Sequence, residues 1–537
     1  MAGEILPRPE RAPIEASIWV PMRRPAFRGL WIGGGIHFLG SAMHTTASSW
    51  LMVQVSGSAL LAALVQTAAF LPMFLLSLPA GVLADSTDRA RIITAALTVY
   101  ALTAAVLAGL AWRGLAGPAT LLALTFVLGA CQALQSPAWN SAVNESVDRD
   151  EMPQALTLVA VAFNGARAVG PALAGLVFTL AGSGIVFGLA VATSLTMLFA
   201  ARRWRPKPHP PAQLPPERLW GGMLSALRYA WHSQATLGYL LRTVAFSTAG
   251  AALWALVPVI AHSRMGLGAA GFGALMGCLG SGAVLAGLSL MRLRARFGLD
   301  LLIAGCCVVF ALTMAIAAFA PWPALVYVVF VCGGGAWMCV MSTFNVATQS
   351  AAPAWVRGRS VSLFTLCAMG SFALGSAWWG AVAEVLGVAA TLSIAAACLL
   401  ASMRLARRYP LRALDASEVT QGTPWGELPV SGEPAPDAGP VAVEIVYEVR
   451  SADATAFLDT LALLRAPRRR DGATFWRAYR DLGGTGRYVE RFIVASWLDY
   501  LRQRARATVA DHDLEERLRA FQVAGIPITV HHYVAER

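Results

Sequence analysis

The chain of 537 residues is 57% hydrophobic and 13% charged, with a formal net charge of +12. An average soluble domain carries about a quarter charged residues, and a single soluble core stops growing near roughly 250–300 residues, so this much apolar surface needs lipid. The positive balance does not point to nucleic acid, because the basic residues sit in short clusters between apolar runs, as they do beside membrane spans. One lysine, Lys207, stands among many arginines, a genomic bias and not a functional signal. The eight cysteines, Cys131 through Cys398, all fall inside apolar runs. Cysteines placed that way pack, so no disulfide framework, metal site or cofactor is expected.

In chain order, residues 1–22 are rich in Pro, Arg and Glu and lack an apolar stretch. No cleavable signal is expected there, and the N-terminus should stay in the cytoplasm. A helix crosses the hydrocarbon with about 20 apolar residues. Candidate spans are 29–52, 59–83, 92–112, 118–139, 155–180, 184–201, 237–260, 271–291, 301–320, 324–346, 361–385 and 388–405. Nearly all Arg and Lys of the connections then fall on one side, with only Arg113 and Arg264 on the other. That bias places both termini in the cytoplasm and makes the chain a multi-pass protein of the cell inner (plasma) membrane. The long connection 202–236 starts Pro-rich and continues as Leu219-Trp220…Met223-Leu224…Leu227-Arg228…Trp231, a surface helix at the membrane interface. It separates two six-helix bundles, 23–201 and 237–408.

The halves are related by an offset of 205 residues. Arg89 then meets Arg294, Arg91 meets Arg296, Pro118 meets Pro323, Gly129 meets Gly334 and Asn140 meets Asn345. Gly165, Gly170 and Gly175 meet Gly370, Gly375 and Gly380. Two parallel six-span repeats indicate a transporter whose site lies between the halves at mid-membrane.

After a polar linker, 409–440, the composition turns soluble. Strands are predicted at 441–449, 474–481, 488–495 and 526–534, with helices at 454–464 and 498–521. The order βαββαβ implies a ferredoxin-like α+β domain over 441–537 behind an all-α polytopic membrane protein of about twelve helices. An open sheet of this kind exposes one face, and self-association through it is expected. Arg468-Arg469-Arg470 reads as a solvated turn.

After the second span stands Gly81-Val82-Leu83-Ala84-Asp85-Ser86-Thr87-Asp88-Arg89-Ala90-Arg91. Gly81 permits close helix approach, while Asp85, Arg89 and Arg91 can latch neighbouring cytoplasmic helix ends. The plainer alternative is a polar loop with positive-inside charge. These residues resemble the signature loop of the major facilitator superfamily, Gly-x-Leu-Ala-Asp…Arg-x-Arg. The chain departs from that pattern at Ser86, often Arg, and at Asp88, often Gly. Leu290 stands for Asp85 in the second half.

The fifth span carries Gly165-Ala166-Arg167-Ala168-Val169-Gly170-Pro171-Ala172-Leu173-Ala174-Gly175. Its Gly170-Pro171 resembles the antiporter signature of superfamily exporters, with Ala174 where Gly is typical. The alternative is generic small-residue packing, with Pro171 bending the helix. Arg167 lies mid-span, where a charge is costly unless paired or hydrated. It should face the central cavity, to bind an anionic substrate or pair with a carboxylate, or else bond backbone carbonyls structurally. No acid lies deep in another span: Glu384 is near the external end of span eleven and Glu145 just past span four. His37 and His44 lie seven residues apart on one face of span one. Each either carries a coupling proton or packs as a neutral hydrogen-bonded ring. Gln132, Gln135 and Trp337 are expected to line the same cavity, since spans one, four, seven and ten do so in the superfamily.

The wording Phe27-Arg28-x-Leu30-Trp31, Trp50-Leu51…Gly57-Ser58, Pro137-Ala138, Ala166 to Pro171 and Arg357-Gly358-Arg359 is similar to the siderophore-exporter-like branch, the transmembrane secretion effectors, over about residues 23–408. The resemblance implies efflux of a small-molecule drug, siderophore or metabolite by alternating access, driven by proton antiport. The tail, with Arg487-Tyr488-Val489-Glu490…Phe492…Val494…Ser496-Trp497, His512 and His531-His532, resembles antibiotic-biosynthesis-monooxygenase domains. An enzymatic reading would use Trp476, Trp497 and His512 around a pocket; plain packing is the alternative. A membrane-anchored enzyme and a lipid flippase therefore stand beside the exporter. No phosphate loop supports an ATP-driven pump.

Overall fold

The computed structural model describes residues 17–204, 219–411, 414–422, 430, 432 and 434–536. The first half holds α1 (Pro25–Ser56), α2 (Ala59–Ser86), α3 (Arg89–Trp112), α4 (Pro118–Glu145) and the 52-residue α5 (Met152–Arg203). α6 (Leu219–His232) lies between the halves. The second half holds α7 (Gln234–Val259), α8 (Ala269–Arg296), α9 (Leu299–Phe319), α10 (Pro323–Ser350), α11 (Arg357–Leu386) and α12 (Val388–Ser402). Two short turns, α13 (Leu405–Arg408) and α14 (Ala416–Val419), lead to the tail. Local chemistry sets the helix starts. Proline at the first helical position, whose missing N–H would be unpaired anyway, opens α1, α4 and α10. Ser58 accepts from the Leu61 N–H at 3.2 Å and Asp88 from the Ala90 N–H at 2.9 Å, capping α2 and α3.

Among the described residues ten helices are long and apolar enough to cross a membrane. α1 is not one of them, although it has 32 residues, because His37, His44 and several Ser and Thr dilute it. α5 counts once but is broken at Gly182, whose φ of 79° is open to a residue without Cβ. Gly387, with φ 81°, makes the same break between α11 and α12. These two glycines stand at the predicted offset of 205, as do the starts of α4 and α10 and of α5 and α11. The offset fails earlier in each half. α2 and α8 start at 59 and 269, and α3 and α9 at 89 and 299, an offset of 210. Arg89 therefore opens α3 while Arg294 sits in the last turn of α8, and the two are not equivalent. The expected polar loop over 81–91 is also mostly helical, since α2 runs to Ser86.

The surface helix expected after the first half is α6; the Pro-rich stretch before it lies outside the described residues. Tyr229 on α6 donates to the Ala351 carbonyl at 2.7 Å, while Leu224, Leu227 and Trp231 stay exposed.

The tail contains β1 (Val441–Glu448), α15 (Ala454–Leu463), α16 (Arg465–Asp471), β2 (Phe475–Arg480), β3 (Arg487–Val494), α17 (Trp497–Arg506), α18 (Val509–Arg519) and β4 (Thr529–Val534). Its antiparallel sheet has the order β2-β3-β1-β4, with Val443 opposite both Phe492 and His532. Two expectations are corrected. The single helix at 498–521 is two helices, because Thr508 caps α18 in a capping box with Asp511. The three arginines 468–470 form no solvated turn but lie in α16. There Arg468 pairs with Glu490 at 3.0 Å and Glu515 at 2.7 Å, and Arg470 with Asp471 and Asp511 at 2.8 and 2.5 Å. Burying these guanidinium groups is tolerable only because each meets carboxylates.

Candidate functional site

The halves meet along two helix pairs, and small residues decide where. On α5 and α8, a Cβ at Gly273 would lie 2.5 Å from the Pro171 carbonyl oxygen, and one at Gly175 would collide with the Ala269 carbonyl. Gly280 is closed in the same way by the Ala168 backbone. Thr179 Oγ1 accepts from the Ala270 N–H at 3.1 Å. On α2 and α11, Gly380 abuts Ala63 and Gly370 abuts Phe74. Thr67 donates to the Ala373 carbonyl at 2.8 Å, and Glu384 accepts from Ser58 Oγ at 3.0 Å and the Leu60 N–H at 3.1 Å. The Gly175–Ala269, Thr179–Ala270, Gly380–Ala63 and Glu384 contacts lie toward the end away from both termini, whereas Gly370–Phe74 and Gly280–Ala168 lie near mid-helix. Toward the other end Gly81 on α2, Gly165 on α5, Gly287 on α8 and Gly358 on α11 have nothing within 4 Å of an added Cβ. Small residues let helix backbones touch only where both partners are small, and here that happens from mid-helix to the end away from the termini.

Arg167 lies at the boundary between the two stretches, one residue before the Ala168–Gly280 contact. Its side chain is exposed, and its guanidinium lies 5.8 Å from the ring centres of both Phe163 on α5 and Trp254 on α7. Among the described residues it joins no ion pair. Aromatic contacts continue from both rings. Phe163 meets Phe38 at 5.3 Å, and Phe38 meets Trp139 at 5.1 Å. Trp254 meets Trp337 at 5.7 Å, Trp337 meets Phe372 at 5.9 Å, and Phe372 meets Phe70 at 5.2 Å. Aromatic faces attract cations and stack planar groups, so this boundary can hold a flat ring beside a fixed positive charge.

The structure brings Trp337 to Arg167 through Trp254, but it sets the other polar candidates apart. His37 is buried between α1, α3 and α4, its Nε2 3.0 Å from Gln135 Nε2 and its ring 4.9 Å from Tyr100. Gln132 bonds Ser41 in the same cluster. His37 Nδ1, Gln135 Oε1 and Tyr100 Oη are buried there without a hydrogen-bond partner. His44 is buried beside Phe187 and 3.3 Å from Ser48 Oγ. Gly170 packs on Ala42 of α1, so within the antiporter-like motif Gly175 and Pro171 contact α8, whereas Gly165 faces open space.

At the end that holds both termini, Arg89 pairs with Glu145, tying the start of α3 to the end of α4. Arg24 pairs with Asp148 and with Glu151, the latter at 2.5 Å. In the second half Arg242 meets Asp300 at 2.5 Å, and Arg294 donates to Thr343 at 3.0 Å. Arg91 is largely exposed and 3.6 Å from Asp88. Asp85 lies in the last turn of α2. Phe163, Trp254 and the Arg89–Glu145 pairing are what sequence reasoning missed. Phe163, four residues before Arg167 and so on its face, was the available signal.

In the tail, Trp476, Trp497 and His512 do not converge. Trp476 donates to Glu490 at 2.9 Å and Trp497 packs on Tyr500, while His512 alone lines a cavity there.

The chain matches the family described as transmembrane secretion effector over residues 16–537. It is 28% identical over 398 residues to the multidrug efflux pump Tap of Mycobacterium tuberculosis, a match covering 70% of this chain and 91% of that one. The staphyloferrin A transporter of Staphylococcus aureus is 25% identical over 144 residues, 27% of this chain and 36% of the relative. Among solved structures, the nucleoside transporter NupG superposes with a TM-score of 0.60 at 14% identity, covering 71% of this chain and 98% of its own. An inward-facing bacterial homologue of the lysosomal transporter Spinster gives 0.55 at 13% identity, covering 72% and 98%. At such identities the superpositions show a shared fold.

Proposed function

The chain belongs to the transmembrane secretion effector family, and from that premise we propose that it is a secondary active exporter of small amphipathic molecules, such as a drug, siderophore or metabolite. Family and relatives are transporters, not enzymes. On this reading twelve helical stretches span the inner membrane, α5 twice across Gly182, with both termini in the cytoplasm. Alternating access swings the halves about the α5–α8 and α2–α11 contacts, and proton antiport drives it. The observation that carries the reading is that the glycine contacts between the halves run from mid-helix to the end away from the termini, while glycines of the same four helices at the other end have no neighbour, with Arg167 and its aromatic partners at the boundary. This supports a pathway that opens on the side of the termini, which the reading puts in the cytoplasm.

Within it, Arg167 selects negative or electron-rich groups, with Trp337 along the route, while Gln132, bonded to Ser41, stands with the cluster around His37. His37, His44 and Gln135 form the polar interior through which a coupling proton passes. Gly81, Asp85, Arg89 and Arg91 latch the cytoplasmic helix ends, while Gly165, Gly170, Pro171 and Gly175 let α5 pack and bend.

The test is transport in inside-out vesicles at matched expression. Arg167→Ala should abolish efflux with insertion intact. Arg167→Lys, which keeps charge but loses the planar fork, should retain part of it. Full activity in Arg167→Ala would remove the residue from the mechanism.

A further inference from the structure

The arginines of α16 part ways. Arg468 and Arg470 turn to the carboxylates described above. Arg465 and Arg469, four residues apart and so neighbours on one face, do not. Among the described residues neither joins an ion pair. α16 packs on α6, whose nearby side is basic as well. Arg228 Nη2 comes within 3.8 Å of a Cβ built on Gly472, the residue just past α16. His232, one turn further along α6, is half-buried. Burial and the charges of Arg469, Arg228 and Arg465 hold its imidazole below its usual range.

Two packed elements thus bring like charges together, and that opposes the contact. An anion among them would reverse the sign. Guanidinium groups suit phosphate oxygens, which they bind in pairs of hydrogen bonds. The rest of α6 says where the phosphate comes from. At 3.6 residues per turn, Leu224, Leu227 and Trp231 form one exposed stripe, and Arg228 and His232 form the row beside it. An apolar stripe bordered by a basic row fits the edge of an acidic bilayer, its large side chains among the acyl chains and its cations level with the phosphates. A free phosphate ion would leave the stripe in water.

We propose that the seam between α6 and α16 binds the phosphate of an anionic phospholipid from the leaflet on the side of the termini, through Arg465, Arg469 and Arg228, so that an acidic lipid fastens the tail to the membrane helices. The inference needs only that α6 lies on the bilayer surface, and it stands whether or not the chain exports.

The test measures hydrogen exchange of the full-length protein in nanodiscs of phosphatidylglycerol or of phosphatidylcholine. α6 and α16 should exchange about five-fold or more slowly in phosphatidylglycerol, the factor for one basic residue at an acidic surface. β1 should exchange alike in both, which reports an intact tail. Arg465→Gln combined with Arg469→Gln should erase the lipid difference and, in phosphatidylcholine, slow exchange of α16 relative to wild type, because the repulsion is gone. Loss of fold would do the opposite. Arg465→Gln alone, at an exposed position, should keep part of the lipid difference. Equal exchange of wild type in the two lipids would overturn the proposal, as would a lipid difference undiminished in both variants. Inorganic phosphate added to the phosphatidylcholine discs should not restore protection; if it did, the guest would be a free anion and the lipid assignment would fail.

Discussion

Arg167 meets two ring faces, Phe163 from its own helix and Trp254 from the other half. Each such contact is worth about 0.5–2 kcal/mol, and a bound aromatic substrate would compete for or extend the same stack. Trp254→Leu should therefore raise the KM for an aromatic substrate about 3–30-fold, in proportion to that energy, with little change at saturation. Phe310→Leu, which also loses a Trp337 contact but lies away from Arg167, should change KM less. Vesicle transport at varied substrate concentration separates the two. Arg167 was legible in the sequence because a charge inside an apolar run has no bland reading. Trp254 was not, because a tryptophan in a span is ordinary and only tertiary packing across the halves gives it a cation. Arg89 stood out in the sequence as a candidate for a latch, and the structure pairs it with Glu145 across a helix pair that no local pattern specifies.

At the scale of elements, α5 and α8 close through glycines that leave no room for a side chain. Gly175→Leu would force its side chain against Ala269 and Gly273, and such overpacking costs about 1–3 kcal/mol. The closed end should then part, and Thr179→Cys in that background should label faster from the side away from the termini, with transport lost. Unchanged labelling would mean that the contact does not gate. The 205-residue offset read from Gly165, Gly170 and Gly175 against Gly370, Gly375 and Gly380 matches the starts of α4 and α10 and of α5 and α11, and the structure adds Gly182 and Gly387 at the same spacing. The Arg-x-Arg coincidence misled for a physical reason: basic residues recur at every cytoplasmic helix end, so matching them carries little register information. In the tail, the Thr508–Asp511 cap that divides α17 from α18 was a readable signal, overlooked because no Gly or Pro interrupts the stretch.

Across the whole molecule, the tail is joined to the membrane helices by more than its linker. Arg506 of α17 lies 4.2 Å above the ring of Trp355, between α10 and α11, and donates to the Asp471 carbonyl at 3.1 Å. Trp355 in turn meets Tyr229 of α6 at 5.8 Å. Trp355→Leu removes the ring without entering the tail, so hydrogen exchange should quicken across α17 and remain unchanged in β1. Equal exchange in α17 would show that the stack holds nothing. The outer sheet face, with Tyr479 and Tyr533 about half exposed, suits a second copy of the chain. Native mass measurement of the full-length protein in detergent should show a dimer that Tyr533→Lys dissociates; a monomer at high micromolar protein would count against that pairing.

The turns at the end away from the termini are brief. α1 and α2 are joined by two residues, α5 bends on Gly182 alone, α11 passes to α12 through Gly387, and α9 to α10 through three residues. Apart from the five residues between α3 and α4 and the nine between α7 and α8, that face presents almost no polypeptide beyond the helix tips. Away from those two connections an antibody raised against it would find little epitope, an impermeant protease little chain to cut, and an inserted affinity tag little slack in which to sit. A molecule meant to jam this protein would find more purchase on the face that carries the tail.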